Sequence, residues 1–200
     1  MFTLTTPRLI LRDFLESDAE AVHAYAGNPA NVIYMAWGPN ESLEQTRQYR
    51  LRAIEKAVAE PRVDYDLAIV LKSTGELIGG CGLSLEKDWH GRRFIAGNLG
   101  WILHMDHWKQ GYGTEFAAEL LRFGFKDLGL HRIHVSCDAE NYGSYRVMER
   151  SGMRREATFK EAILGRDGTW HDQYEYAILR EEWPPAAELA GCAAADSHGI

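Results

Sequence analysis

Two hundred residues are enough for one domain of ordinary size with a real hydrophobic core. Hydrophobic residues at 46% and charged residues at 26% match a soluble globular chain, and a formal net charge of −7 argues against a dedicated nucleic-acid binder. The start has no secretory n- and h-regions and no apolar run is long enough to span a bilayer, so the expectation is a cytoplasmic protein with no membrane partner. Cys81, Cys137 and Cys192 form no C-x-x-C, which suits reduced thiols rather than zinc or disulfides, and the histidines are scattered, so no metal is expected.

Thr6 to Phe14 reads as a first strand, with Leu9 and Leu11 on one face. Ser17-Asp18-Ala19-Glu20 has the pattern of a capping box, so a helix should run to about Gly27, stopped by Asn28-Pro29. An irregular aromatic segment follows, with Tyr34, Met35 and Trp37. A second capping box, Ser42 to Gln45, opens a helix to about Glu60. Its charged residues Arg47, Arg50, Arg52, Glu55 and Lys56 read as a solvated face. Tyr65–Leu71 and Glu76–Leu85 form a hairpin in which Gly79, Gly80 and Gly82 suggest a bulge or a close approach. Ile95–Leu103 should pair next, antiparallel.

A polar loop with Gly111 and Gly113 then leads into a helical pattern carried by Phe116, Leu120, Leu121, Phe123 and Phe125, ending near Gly129. Glycines bring the backbone close to a ligand, and a helix start offers free N–H groups with partial positive charge, so such a turn suits a phosphate. Gln110-Gly111-Tyr112-Gly113-Thr114 is neither a P-loop nor a dinucleotide fingerprint, and taken alone it reads equally well as an ordinary strand-to-helix turn. His131–Asp138 should be a strand parallel to the one before the loop, because a helix lies between them. Asn141–Arg150 reads as a short helix closed by Gly152. Met153–Ile163 and Trp170–Leu179 are two strands joined by the turn Gly165–Gly168. Past Trp183 the chain turns small and Ala-rich, which predicts one domain over 1–183 and a disordered tail over 184–200.

Four stretches in this order, TPRLILR, GWILHMDHWKQGYGTE, NYGSYRVMERSGM and GTWHDQYEYAILREEW, resemble the Gcn5-related N-acetyltransferases (GNAT), and in particular their RimJ/RimL-type branch. The resemblance covers about Thr3 to Trp183. It implies an α/β fold with a mixed, mostly antiparallel sheet, helices on both faces and a splayed parallel strand pair. It also implies acetyl-CoA as co-substrate, with Gln110, Gly111, Tyr112, Gly113 and Thr114 on the pyrophosphate, the backbone of Ile102, Leu103 and His104 along the pantetheine arm, and Asn141 and Ser144 near the thiol.

Three positions depart from the family pattern. Trp108 stands where Arg or Gln often opens the loop, Met148 where many relatives carry an acidic Tyr, and Asn98 where some carry a carboxylate base; neither a thioether nor an amide can serve as acid or base. The reaction implied is attack of a neutral amine on the thioester, and an α-amine, with a pKa of about 7.7–8.0, needs less help than a lysine at about 10.4. The absence of a carboxylate at Asn98 therefore leans toward an α-amine acceptor, or toward deprotonation through water.

Ser144 is the expected proton donor to the leaving thiolate by resemblance, with Tyr142 and Tyr145 as alternatives, and Asn141 can cap its helix besides lining the cofactor. His134, Asp138 and Glu140 lie near the right strand but read as structural or solvated. Tyr34 and Trp37 are expected to line the acceptor pocket, while Tyr174 reads as core packing. The acceptor is expected to be a small-molecule amine or a protein N-terminus. The alternative is a catalytically weak or inactive acyl-CoA-binding sensor. Oligomeric state is left open, with a homodimer one expectation because dimers are common among relatives.

Overall fold

The computed structural model describes residues 1–183, so the tail predicted over 184–200 lies outside the described residues. Strands β1 (Thr3–Thr5), β2 (Leu9–Asp13), β3 (Asp64–Leu71), β4 (Leu77–Lys87), β5 (Phe94–Leu103), β6 (Arg132–Asp138), β7 (Arg154–Leu164) and β8 (Trp170–Leu179) form one sheet in the order β1-β2-β3-β4-β5-β6-β8-β7. Every pairing is antiparallel except β5 with β6. Helices α1 (Ala19–Ala26) and α2 (Leu43–Ala57) cover one face, and α3 (Tyr112–Arg122) and α4 (Tyr142–Arg150) cover the other. Among the described residues, no helix is long and apolar enough to cross a membrane.

Strand alternation divides the core. Leu67, Ile69, Leu83, Leu99, Ile133 and Tyr176 point toward Phe116 and Leu120 of α3, whereas Phe14, Ala68 and Val70 point toward Val22 and Tyr25 of α1 and Ala53 of α2. A fully buried leucine side chain contributes roughly 1.5–3 kcal/mol to such a core.

Several local expectations are corrected. The strand expected over Thr6–Phe14 starts only at Leu9, and a further strand, β1, precedes it: Thr6 accepts a hydrogen bond from the Leu9 amide through Oγ1 (2.9 Å), and Pro7 completes a turn that folds β1 back on β2. The capping box at Ser17 is not made. The Asp18 carboxylate instead accepts from the Leu15 amide (2.8 Å) and from both Nη atoms of Arg12 (2.7 and 2.9 Å), so a 3-10 turn over Glu16–Asp18 leads into α1. The Ser42 cap does form, with Oγ accepting from the Gln45 amide (3.2 Å), and α2 stops at Ala57, before Glu60. The helix after the glycine loop changes to a π-turn at Phe123–Asp127. There Gly124 lies so close to β6 that a Cβ would sit 2.5 Å from Ile133 Cδ1.

The parallel pair is short. β5 and β6 pair only over Ala96–Asn98 and Arg132–His134, after which they splay. Leu99–Leu103 stays paired with β4 on its other side, so its backbone on the β6 side faces a gap.

Candidate active site

Because β5 and β6 are parallel and each is followed by a helix, α3 and α4 both begin at the same end of the sheet and flank the mouth of the gap. In open α/β sheets the crevice beyond the strands' carboxyl ends is where ligands bind. The two helices touch closely: a Cβ on Gly113 would lie 2.6 Å from Val147 Cγ2. Gly111 caps α3 with φ +80°, a left-handed conformation that side chains rarely adopt, and Lys109 also has positive φ at 60°. The first bond back into α3 runs from the Glu115 amide to the Gly111 carbonyl (3.2 Å), and the N–H groups of Tyr112, Gly113 and Thr114 belong to the turn an α-helix leaves unpaired. This concave set of donors at the positive helix end fits a diphosphate.

The loop is braced from the far edge of the sheet. The Glu115 carboxylate accepts from Thr6 Oγ1 (2.6 Å), the Arg8 amide (2.8 Å) and Arg8 Nε (2.6 Å), while Arg8 Nη1 donates to the Gln110 carbonyl (2.9 Å). Burial alone would raise the Glu115 carboxyl, but these hydrogen bonds outweigh it and hold it below the ordinary carboxylate range. The Gln110 side chain turns back to donate to the Asp106 carbonyl (2.9 Å), so this residue faces a ligand with its backbone only. Trp108 acts on the scaffold: its indole N–H donates to the Leu103 carbonyl (2.9 Å), which also accepts from Asn31 Nδ2 (2.6 Å). That carbonyl is already engaged, leaving the rest of the gap-side backbone of β5 for a ligand. The His104 amide is paired across β4 with the Ile78 carbonyl (2.8 Å), and its Nδ1 accepts from the Asp106 amide (3.3 Å).

On the opposite face of β5, beneath α1 and α2, lies a cavity of about 670 Å³, a size typical of small-ligand sites. Its floor is unusually bare, because in the register Gly82 faces Gly100 and Gly80 faces Ile102. A Cβ on Gly100 would meet nothing within 4 Å and would point into this space. Trp37 lines the cavity, whereas Tyr34 is more exposed and sits near Asp138 and Glu140, outside the lining. The β7–β8 turn straps the segment between α1 and α2: Arg166 Nη2 donates to the carbonyls of Met35 (3.0 Å) and Trp37.

The α4 end holds Asn141 and Ser144 together. Asn141 Oδ1 accepts from the Ser144 amide (3.1 Å), so Asn141 does cap the helix, and the Ser144 hydroxyl stays at the mouth of the gap, half-buried. Met148 is wholly buried in the core. Tyr145 packs between Tyr142 and Tyr174 with ring centroids 5.2 and 5.7 Å away. Of the base candidates, His134 lies between Glu175 (2.8 Å) and Glu86 (3.0 Å), with Asn98 Nδ2 at 3.4 Å. Asp138 is buried, takes the Glu140 amide (2.8 Å) and pairs with His171 Nδ1 (2.7 Å), which ties the β6–α4 turn to β8.

The hydrogen bond to Asp138 raises the His171 imidazolium above its ordinary value. A group whose pKa is higher folded than unfolded stabilises fully below the unfolded value, about 6.5 for His, and that stabilisation is lost as pH rises through the raised folded value. The expected result is a melting-temperature gap between wild type and His171→Asn that is wider at about pH 5.5 than at about pH 9. A gap independent of pH would remove the charged pair from the account.

Three residues of this region escape sequence reasoning: Arg50, Asp66 and Arg166. Arg50 is not on a solvated face. It is 5% exposed, stacks on Phe14 (3.7 Å) and Tyr49 (4.7 Å), and lines the cavity. Asp66 interrupts the apolar face that Ala68 and Val70 continue, and that was its available signal.

The profile of the acetyltransferase (GNAT) domain matches residues 8–154. YnaD of Bacillus subtilis (strain 168), an uncharacterized N-acetyltransferase, is 33% identical over 90% of this chain and 98% of its own length. A GNAT-family acetyltransferase from Bacillus anthracis superposes with a TM-score of 0.76 at 32% identity, covering 90% of this chain and 99% of that one. The ribosomal-protein α-N-acetyltransferase RimL, solved in complex with coenzyme A, has the same fold with a TM-score of 0.76 at 22% identity, covering 89% and 98%.

Proposed function

The chain belongs to the GNAT acetyltransferase family and is an N-acetyltransferase; from that premise we propose that residues 1–183 form a catalytic unit of the RimJ/RimL type that transfers the acetyl group of acetyl-CoA to a primary amine. The acceptor is a small amine or a protein N-terminal α-amine, and it attacks directly in a ternary complex.

The observation that carries this reading is the splay of β5 from β6 after Asn98. It opens one slot with the α3 amides at its mouth and a cavity against the other face of the same strand. Gly111, Tyr112, Gly113 and Thr114 hold the diphosphate with backbone N–H groups, and Gln110 shapes the turn. The segment Ile102, Leu103 and His104 lies along the pantetheine arm; the His104 amide stays paired with Ile78, so the main-chain N–H groups that can stabilise a developing oxyanion are the gap-facing ones of Trp101 and Leu103. Acetyl-CoA supplies an activated acyl group; the protein supplies orientation and the proton inventory. The Ser144 hydroxyl, near the thiol with Asn141, protonates the departing sulfur. Trp37 walls the acceptor side, and Tyr34 stands at its approach.

The test is release of free thiol from acetyl-CoA with a panel of primary amines. Amine-dependent release is expected, and binding of coenzyme A with no turnover on any amine would instead make the protein a sensor. In the same assay Ser144→Ala should lower kcat about a hundredfold with little change in coenzyme A affinity. Full turnover would remove Ser144 from the chemistry.

A further inference from the structure

The cavity beneath α2 contains an uncompensated cation. Nε and Nη1 of Arg50 are buried and have no hydrogen-bond partner. The guanidinium lies against the faces of Phe14 and Tyr49, which offset only part of the cost of removing it from water. No carboxylate lies within ion-pair distance of it among the described residues. A planar guanidinium with free donors is suited to a carboxylate or another planar anion, which it can grip with two parallel hydrogen bonds.

The same cavity carries the opposite charge. Asp66 lines it from β3, and its carboxylate makes no ion pair among the described residues, since Lys56 bonds the neighbouring Asp64 (3.1 Å). Burial raises the Asp66 carboxyl above its ordinary range. Asp66 stays close to the bare floor: a Cβ on Gly82 would lie 3.1 Å from its Oδ1. From there the row Asp66, Gly82, Gly100 leads across the sheet to β5 without an intervening side chain. One cation and one anion therefore face a single space without touching each other.

The geometry points to an acceptor that is itself zwitterionic, an amino acid or amino-acid-like amine whose carboxylate sits on Arg50 while Asp66 attracts its ammonium toward the glycine floor and β5. This rests on the proposed acetyltransferase reading and narrows its substrate class. A polyamine or aminoglycoside would satisfy Asp66 but place further positive charge beside Arg50, a like-charge contact at a buried guanidinium.

The experiment pairs amines that differ only in the anion: glycine, β-alanine and γ-aminobutyrate, each against its carboxamide or decarboxylated counterpart. Thiol release gives kcat/KM, and the shift in melting temperature caused by each compound alone gives binding without turnover. For at least one pair the wild type should favour the carboxylate about ten- to a hundredfold, the worth of a hydrogen bond to a charged group. Arg50→Met should bring that ratio near one while leaving coenzyme A affinity unchanged. It should not lower the melting temperature, because an apolar side chain of similar volume removes an unpaired buried charge. Asp66→Asn should weaken both members of a pair and leave their ratio intact. Equal rates for carboxylates and carboxamides, or a ratio unchanged in Arg50→Met, would overturn the inference and leave the acetyltransferase standing. Absence of turnover with every amine tested, those without a carboxylate included, would instead overturn the reading on which it rests.

Discussion

Gly100→Leu is expected to abolish acceptor turnover, with kcat/KM falling at least about a hundredfold, while coenzyme A binding and the melting temperature stay near wild type. The argument is steric and local. Gly100 lies in β5, a position whose added Cβ would meet no atom within 4 Å and would project into the cavity. The Cβ overlaps nothing in the protein, and the isobutyl group carried on it occupies the space beside the strand where the amine must arrive. A displacement of about 1 Å at a reacting centre already costs about a hundredfold. Gly100 lies on the cavity side, away from Gly111–Thr114, so the diphosphate cradle should not register the change. Normal turnover in Gly100→Leu would mean that the amine reaches the thioester by another route.

Gly113→Ala should do the reverse, weakening coenzyme A about tenfold or more and lowering stability by about 1–3 kcal/mol, the usual cost of overpacking. The new methyl would lie 2.6 Å from Val147 Cγ2, and a β-branched valine on a helix has little rotamer freedom to yield. The starts of α3 and α4 must then separate, which moves the Tyr112–Thr114 amides. Val147→Ala removes the obstructing atoms, so Gly113→Ala with Val147→Ala should recover much of the affinity. That non-additivity distinguishes helix contact from a general loss of stability. A double variant no better than Gly113→Ala alone would show that Val147 does not set the spacing.

What was legible in the sequence follows physical locality. The strand–glycine loop–helix unit was readable because Gly111, Gly113 and the apolar spacing from Phe116 to Phe125 are all local signals, and the parallel pairing of β5 with β6 follows from crossover geometry. Asn141 as a cap was likewise local. The strand at Thr3–Thr5 is too short to show periodicity, and its turn depends on one Thr6 hydroxyl. The capping box at Ser17 was lost to a tertiary competitor, the Arg12–Asp18 pair. Arg50 is the instructive error: on a charged helix nothing local separates a solvated arginine from one stacked on Phe14, a residue just past β2 and distant in sequence. Asp66 and Arg166 escape for the same reason, since their roles come from strands and loops distant in sequence.

The central claim is that the α3 amides and the freed edge of β5 together hold the coenzyme. It is tested most directly by titrating coenzyme A into the isotopically labelled protein and following the backbone amide resonances. The account predicts saturable shifts that are largest at Gly111, Tyr112, Gly113 and Thr114, with a second set along Trp101–His104. Saturation that leaves those amides unmoved, or no binding by well-folded protein, would contradict it.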